Sequence, residues 1–269
     1  MKDFRSRFGF HTTPFTREIP VSQRFSTEVF DEPLQALVRV LDQRLSAALI
    51  APAGTGKTTL LRTLIETHLP EARYRVHYVQ STGLSRRDLG REIAFAAGVS
   101  PAGSYPALLR NLKKRFLTTV DTDGLRSVLI LDDAHDLDAD VFGILRVLTN
   151  FDMDSRLVVS LLLAGQGPLR DLLRRDTLDD VAHRLSHYAT LRPLSRAETE
   201  AYLRHRTEVA GATVMPFDTK AIDAIYEIGR GNLRATDELA RKTLESAHDR
   251  NAEVADHVHV IAARKDLWP

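Results

Sequence analysis

Residues 47–69, AALIAPAGTGKTTLLRTLIETHL, constrain the fold more than any other stretch of the chain. A run of small and aliphatic residues breaks at a glycine-bearing loop. It resumes as an amphipathic pattern with Leu60, Leu61, Leu64 and Ile65 on one face. That order predicts a buried strand, a tight loop and a helix. The alternation recurs: YRVHYVQS, SVLILDD and RLVVSLLLAG read as strands, and SRRDLGREIAFAAGV, YPALLRNLKKRFLTTV and ADVFGILRVLTNF as helices between them. Nearly continuous apolar strands alternating with helices imply an α/β fold, a parallel sheet with helices on both faces. Ser85, followed three residues later by Asp88, marks the start of one of those helices.

From Pro193 the pattern turns to helices alone, in SRAETEAYLRHRTEVAG, DTKAIDAIYEIG, NLRATDELARKTLESAHDR and VADHVHVIAARKDL. The expected division is therefore a nucleotide-binding base domain over residues 1–192 and a small all-helical lid over 193–269. Apolar residues make up 43% of the 269, enough for a sizeable core. The chain has no cysteine, which removes disulfides and thiolate chemistry and suits a reducing compartment. The opening MKDFRSRFGFHTTPF has no uninterrupted apolar stretch, and the longest apolar run, LVVSLLLAG, is too short to span a bilayer. The expectation is a cytoplasmic protein with no membrane partner. A net charge of +1 gives no global case for nucleic acid, so any such contact must come from a local patch.

The loop Ala51–Thr59, APAGTGKTT, carries the clearest chemistry. Gly54 and Gly56 let the backbone bend so that N–H groups from Ala53, Gly54, Thr55, Gly56 and their successors converge on phosphate oxygens. The helix N-terminus adds partial positive charge. Lys57 is placed to reach the β and γ phosphates, the Thr58 hydroxyl to ligate magnesium, and Thr59 closes the loop. The pattern's usual first glycine is Ala51 here, at the strand end and away from the phosphates. ATP and Mg2+ are the expected cofactors.

LILDDAHDL, residues 129–137, supplies the second half of such a site. Asp132 ends a buried strand, where magnesium would compensate its charge. Asp133 is the candidate for positioning the attacking water, its other readings being a helix N-cap or a solvated acid after the strand. Since aspartate is one methylene shorter than the usual glutamate, slow hydrolysis is expected. His135 reads as an exposed loop histidine, with a proton relay as its other role.

These motifs, together with FGFHTTPF, LLLAGQGPLRDLL, VAHRLSHYATLRPLS and GRGNLRATDELARKTL, resemble AAA+ ATPases of the ExeA type, with the transposition regulators TnsC, TniB and MuB as more distant relatives. The resemblance runs nearly end to end. It implies a P-loop AAA+ sheet with a helical lid, self-assembly into a ring or helical filament with ATP, and four site roles. Gln166 stands where the family carries its first sensor, with Ser160 buried deeper in the same strand. Arg184 matches the arginine that reaches a neighbouring subunit's site, with Arg174, Arg175 and Arg192 as rivals. Arg234 opens the second-sensor helix, over the phosphates, while the Pro-Phe pair of the opening lies near the adenine pocket. A guanidinium suits these tasks because it meets phosphate oxygens bidentately without losing charge.

The resemblance leaves two functions open. One is a regulator that assembles on double-stranded DNA and recruits or activates a transposase. The other is an ExeA-like secretion or cell-envelope assembly ATPase. Secretion members continue beyond the ATPase half, so the end at Pro269 favours the first expectation. A loader of the Cdc6 type is weaker still, as its winged-helix domain is missing. DNA contact is expected at Thr82, Ser85, Arg86 and Arg87, a helix start that offers hydroxyls and guanidinium groups for phosphate. The RNLKKRF group (Arg110, Lys113, Lys114 and Arg115) reads equally as a solvated face.

Overall fold

The computed structural model describes residues 4–267. In chain order the helices are α1 (Phe4–Arg7), α2 (Glu28–Asp42), α3 (Lys57–Thr63), α4 (Arg86–Ala96), α5 (Tyr105–Asp121), α6 (Gly143–Thr149), α7 (Gly167–Leu173) and α8 (Asp179–Ala182). After these come α9 (Arg196–Val209), α10 (Thr219–Gly229), α11 (Leu233–Asp249) and α12 (His257–Leu267). The strands are β1 (Ser46–Ile50), β2 (Tyr74–Gln80), β3 (Arg126–Asp132), β4 (Val159–Gly165) and β5 (Leu185–Thr190). No helix among the described residues is long and apolar enough to cross a membrane.

Two compact units result. The first holds residues 30–52 and 57–191. Its sheet has the order β2-β3-β4-β1-β5, with every pairing parallel. β1 and β4 are buried along their whole length and β3 in all but its first residue, as central strands covered on both faces must be. The edge strands β2 and β5 alternate buried and exposed instead. Phe116, Phe142, Leu129, Leu131 and Leu163 sit in one core with Ile93 and Leu112 from the covering helices. Because the strands run the same way, their C-terminal ends share one edge of the sheet. Ile50 lies beside Gly165, and Gln80 beside Asp132. Ligands bind at this edge in open α/β sheets, where the strand order reverses.

The second unit holds residues 4–29, 53–56 and 192–267. The helices after residue 192 are joined in this unit by residues 4–29 and 53–56, which the expected division at 192/193 groups with the sheet. Phe8, Phe10 and Phe15 are buried in a core with Leu203, Phe217, Leu239, Leu244 and Val260. Arg206, buried on α9, fastens the segment further. It donates to the Thr16 carbonyl at 2.7 Å, pairs with Asp237 at 3.1 Å and stacks over the Phe15 ring. The phenylalanine spacing of the opening is thus a core pattern, and Phe15 lies against Phe217 with ring centroids 6.1 Å apart.

α9 starts with a complete capping box. Ser195 Oγ accepts from the Glu198 N–H, and Glu198 accepts from the Ser195 N–H at 2.7 Å. Arg192 grips the same carboxylate with both terminal nitrogens, at 2.7 and 2.8 Å. The Arg192 hydrogen bond is the main reason that the Glu198 carboxyl is held down to about 2.

Candidate functional site

The glycine loop leaves β1 and enters α3. Gly54 and Gly56 both take left-handed backbone angles, with φ of 75° and 96°. Thr55 is buried, Ala53 and Thr58 are exposed and Thr59 is half-buried. The loop tip is held from the second unit's own residues. The Asn232 side chain donates to the Ala53 carbonyl at 2.6 Å, and the Arg234 backbone N–H donates to the Gly54 carbonyl at 3.1 Å. A Cβ on Gly54 would collide with the Asn232 carboxamide, whose Cγ would lie only 3.0 Å away, so the loop needs glycine there for space as well as for backbone angle.

In the sheet unit, Lys57 at the start of α3 turns its ammonium to the ends of β3. It pairs with Asp132 Oδ1 and, at 2.8 Å, with Asp133 Oδ1. Lys57 and Asp132 are both buried, so removing either partner would leave an uncompensated charge, typically a loss of about 3–5 kcal/mol. Asp132 is further satisfied by the Tyr78 hydroxyl, which donates to Oδ2 at 2.9 Å, and by the Asp133 N–H, which donates to Oδ1 at 2.9 Å. Tyr78 comes from the neighbouring strand β2. Burial and the Asp132 charge push its hydroxyl well above the ordinary phenol range, so it stays a donor. Asp133 has a left-handed backbone, φ 57°, and although it precedes the short helical turn that follows, its side chain makes no capping hydrogen bond to it.

His135 departs from the expectation of exposure. Its side chain is 9% exposed, and Nε2 lies 2.7 Å from the Gln166 carboxamide. Gly165 makes this approach possible, since a Cβ there would press on the His135 backbone nitrogen at 3.2 Å. Gln166, at the C-terminal end of β4, thus stands beside the Asp132–His135 segment, while Ser160 is buried within β4. Arg184 is mostly buried and makes a two-point pair with Asp154, with Nη2 to Oδ2 at 2.9 Å. Of its rivals, Arg192 is engaged by Glu198 and Arg174, more loosely, by Asp171. Arg234 is exposed at the start of α11.

Among the candidate DNA contacts, Thr82, Ser85 and Arg87 are exposed at the start of α4. Ser85 caps that helix, accepting from the Asp88 N–H at 3.3 Å. Arg86 is exposed as well, with its guanidinium over the Tyr105 ring and beside Gly143. Lys113 and Arg115 are used internally, on the Asn150 carbonyl and on Asp123.

The residues fit a magnesium nucleotide. The loop offers two glycine-permitted bends and a buried lysine, and the hydroxyl of Thr58 and the carboxylate of Asp132 are the hard oxygen donors that magnesium takes.

The comparisons with known proteins agree with this geometry. The family model described as an AAA domain matches residues 39–173, half of the chain. General secretion pathway protein A of Aeromonas hydrophila is 28% identical over 263 residues, covering 97% of this chain and 48% of that protein. The chain therefore spans about half the length of this relative. Among solved structures, Cdc6p from Pyrobaculum aerophilum is similar with a TM-score of 0.74 at 19% identity, covering 94% of this chain and 70% of that one. The ORC1 protein of Aeropyrum pernix, solved in complex with DNA, reaches 0.69 at 19% identity, covering 96% and 70%. At such identities these two speak for the fold alone. Loop, paired aspartates and family match converge, and the chain belongs to the AAA domain family of P-loop ATPases.

Proposed function

We propose that this ATPase is a slow switch in the cytoplasm, assembling with further copies of itself on double-stranded DNA in its ATP state and passing that state to a transposase. The observation that carries the switch reading is the Lys57–Asp132–Asp133 cluster, in which the second acid is short, left-handed and tied to the lysine. Bound ATP supplies the phosphoryl group, with Mg2+ to offset its charge. In this reading Thr58 and Asp132 hold the metal, Lys57 the β and γ oxygens, and Asp133 orients the water while Gln166 and His135 border it. Arg234 faces the phosphates from α11. Arg184 completes the site of a neighbouring copy, for which its pair with Asp154 must open. That pair sets a threshold for assembly.

DNA as the platform is supported by the exposed Thr82, Ser85 and Arg87 at one helix start. A likeness in fold to proteins solved with DNA adds to it. A second reading, an assembly ATPase of secretion or the cell envelope, is supported by the secretion relative that matches 97% of the chain.

Light scattering of the purified protein with ADP or a non-hydrolysable ATP analogue, with and without duplex DNA, tests both. The first reading expects assembly only with the analogue, promoted by DNA and steeply weakened by salt. Assembly with the analogue and indifference to DNA would favour the second. Monomers under every condition would overturn the switch itself.

A further inference from the structure

We infer that Asn232 is a positioning residue for nucleotide binding, acting as a clamp that fixes the peptide planes of the phosphate-binding loop. Its carboxamide does two things at once. Oδ1 accepts from the Ala235 N–H at 3.1 Å and caps α11, while Nδ2 donates to the Ala53 carbonyl at 2.6 Å. Two residues on, the Arg234 backbone N–H donates to the next carbonyl, that of Gly54, at 3.1 Å. The entry to this turn is itself pinned, with the Asn232 N–H on the Gly229 carbonyl at 2.9 Å and the Leu194 N–H on the Gly231 carbonyl at 3.0 Å.

The consequence lies in peptide geometry. In a trans peptide the C=O and the following N–H point in opposite directions. Holding the carbonyls of Ala53 and Gly54 toward α11 therefore turns the N–H groups of Gly54 and Thr55 the other way. Loops of this kind bind phosphate through such converging N–H groups. Without the clamp, the bend at Gly54 can rotate freely, because glycine imposes no side-chain barrier. Asn232 thus fixes in advance an orientation that bound phosphate would otherwise have to impose. Ala53–Gly56 fall in the same compact unit as α9–α12, so the clamp is part of that unit's own packing. The inference concerns ATP binding and holds whichever partner the switch serves.

The two roles of Asn232 separate cleanly by substitution. Serine is as good a helix cap as asparagine but has no amide donor for Ala53. Asn232→Ser should therefore leave the melting temperature without nucleotide near that of the parent, yet weaken ATP-analogue affinity about fivefold to tenfold, the value of one net hydrogen bond. Hydrogen exchange of the loop amides, measured without nucleotide, should quicken in the same variant. Asn232→Ala, which loses both bonds, should lower the melting temperature as well. Parent-like affinity and loop exchange in Asn232→Ser would overturn the inference and leave Asn232 as a helix cap only. Equal loss of stability in the serine and alanine variants would overturn it too, since cap and clamp would then not be separable.

Discussion

At Asp133 a carboxylate one methylene shorter than glutamate meets a left-handed backbone, φ 57°, a combination that aspartate tolerates better than most residues. Its Oδ1 is 2.8 Å from the Lys57 ammonium, which limits how far the acid extends toward a water. Positioning of this kind is sensitive to about an ångström of misplacement. Turnover by the unmodified protein should lie well below the typical enzyme median of about ten per second. Asp133→Asn should abolish hydrolysis while keeping nucleotide affinity, and Asp133→Glu should speed hydrolysis several-fold despite the strain at that φ. Single-turnover hydrolysis at saturating ATP measures all three, and a glutamate variant no faster than the parent would remove side-chain length as the cause. The glycine loop and the paired aspartates are legible in the sequence as motifs, but the direct pairing of Lys57 with both acids is not. Nor are Tyr78 and Asp154, since they meet Asp132 and Arg184 across 54 and 30 residues and belong to no motif.

Strands β1, β3 and β4 are visible in the sequence because burial on both faces leaves only apolar runs. Strand β5, LSHYAT, is not, since at the sheet edge every other residue meets water and the apolar run dissolves. The helix read over 139–151 shortens to Gly143–Thr149 for a similar reason, its first residues being spent on turns with no side-chain cap. Helix α9 is the opposite case, with a start written out in Ser195 and Glu198. The Glu198 carboxyl titrates at about 2 in the fold against an ordinary value of 4.5. A lowered value means stability that is present above 4.5 and drains away as pH falls toward 2. Glu198→Gln should cost about 1–2 kcal/mol at pH 7, allowing for the solvent around the pair. The difference between variant and parent should shrink as urea melts are repeated from pH 5 down to pH 2.5. A constant difference would mean that shape, not charge, carries the contribution.

For the molecule as a whole, the sequence shows the switch from strands and helices to helices alone, but not where the first residues go. The opening FGFHTTPF enters the sequence reading only through its resemblance to the family's opening, which names no core for Phe8, Phe10 and Phe15. In the structure they join Leu203, Phe217 and Leu244. Phe15→Ala should therefore destabilise the helical unit by about 3 kcal/mol, near the lower end for a buried phenylalanine, with relief of its left-handed backbone offsetting part of the loss. Limited proteolysis should then cut first within 192–267, while peptides from β1, β3 and β4 stay protected. Early cleavage inside the sheet would place Phe15 in the wrong core.

The hold of α11 on the glycine loop also bears on how the protein divides into pieces. A fragment ending at Leu191 would keep every letter of APAGTGKTT, both aspartates and the whole sheet. It would lack Asn232 and Arg234, the donors on which the carbonyls of Ala53 and Gly54 rest. The phosphate-binding motif is contiguous along the chain, yet its shape is borrowed from residues almost 180 positions further on.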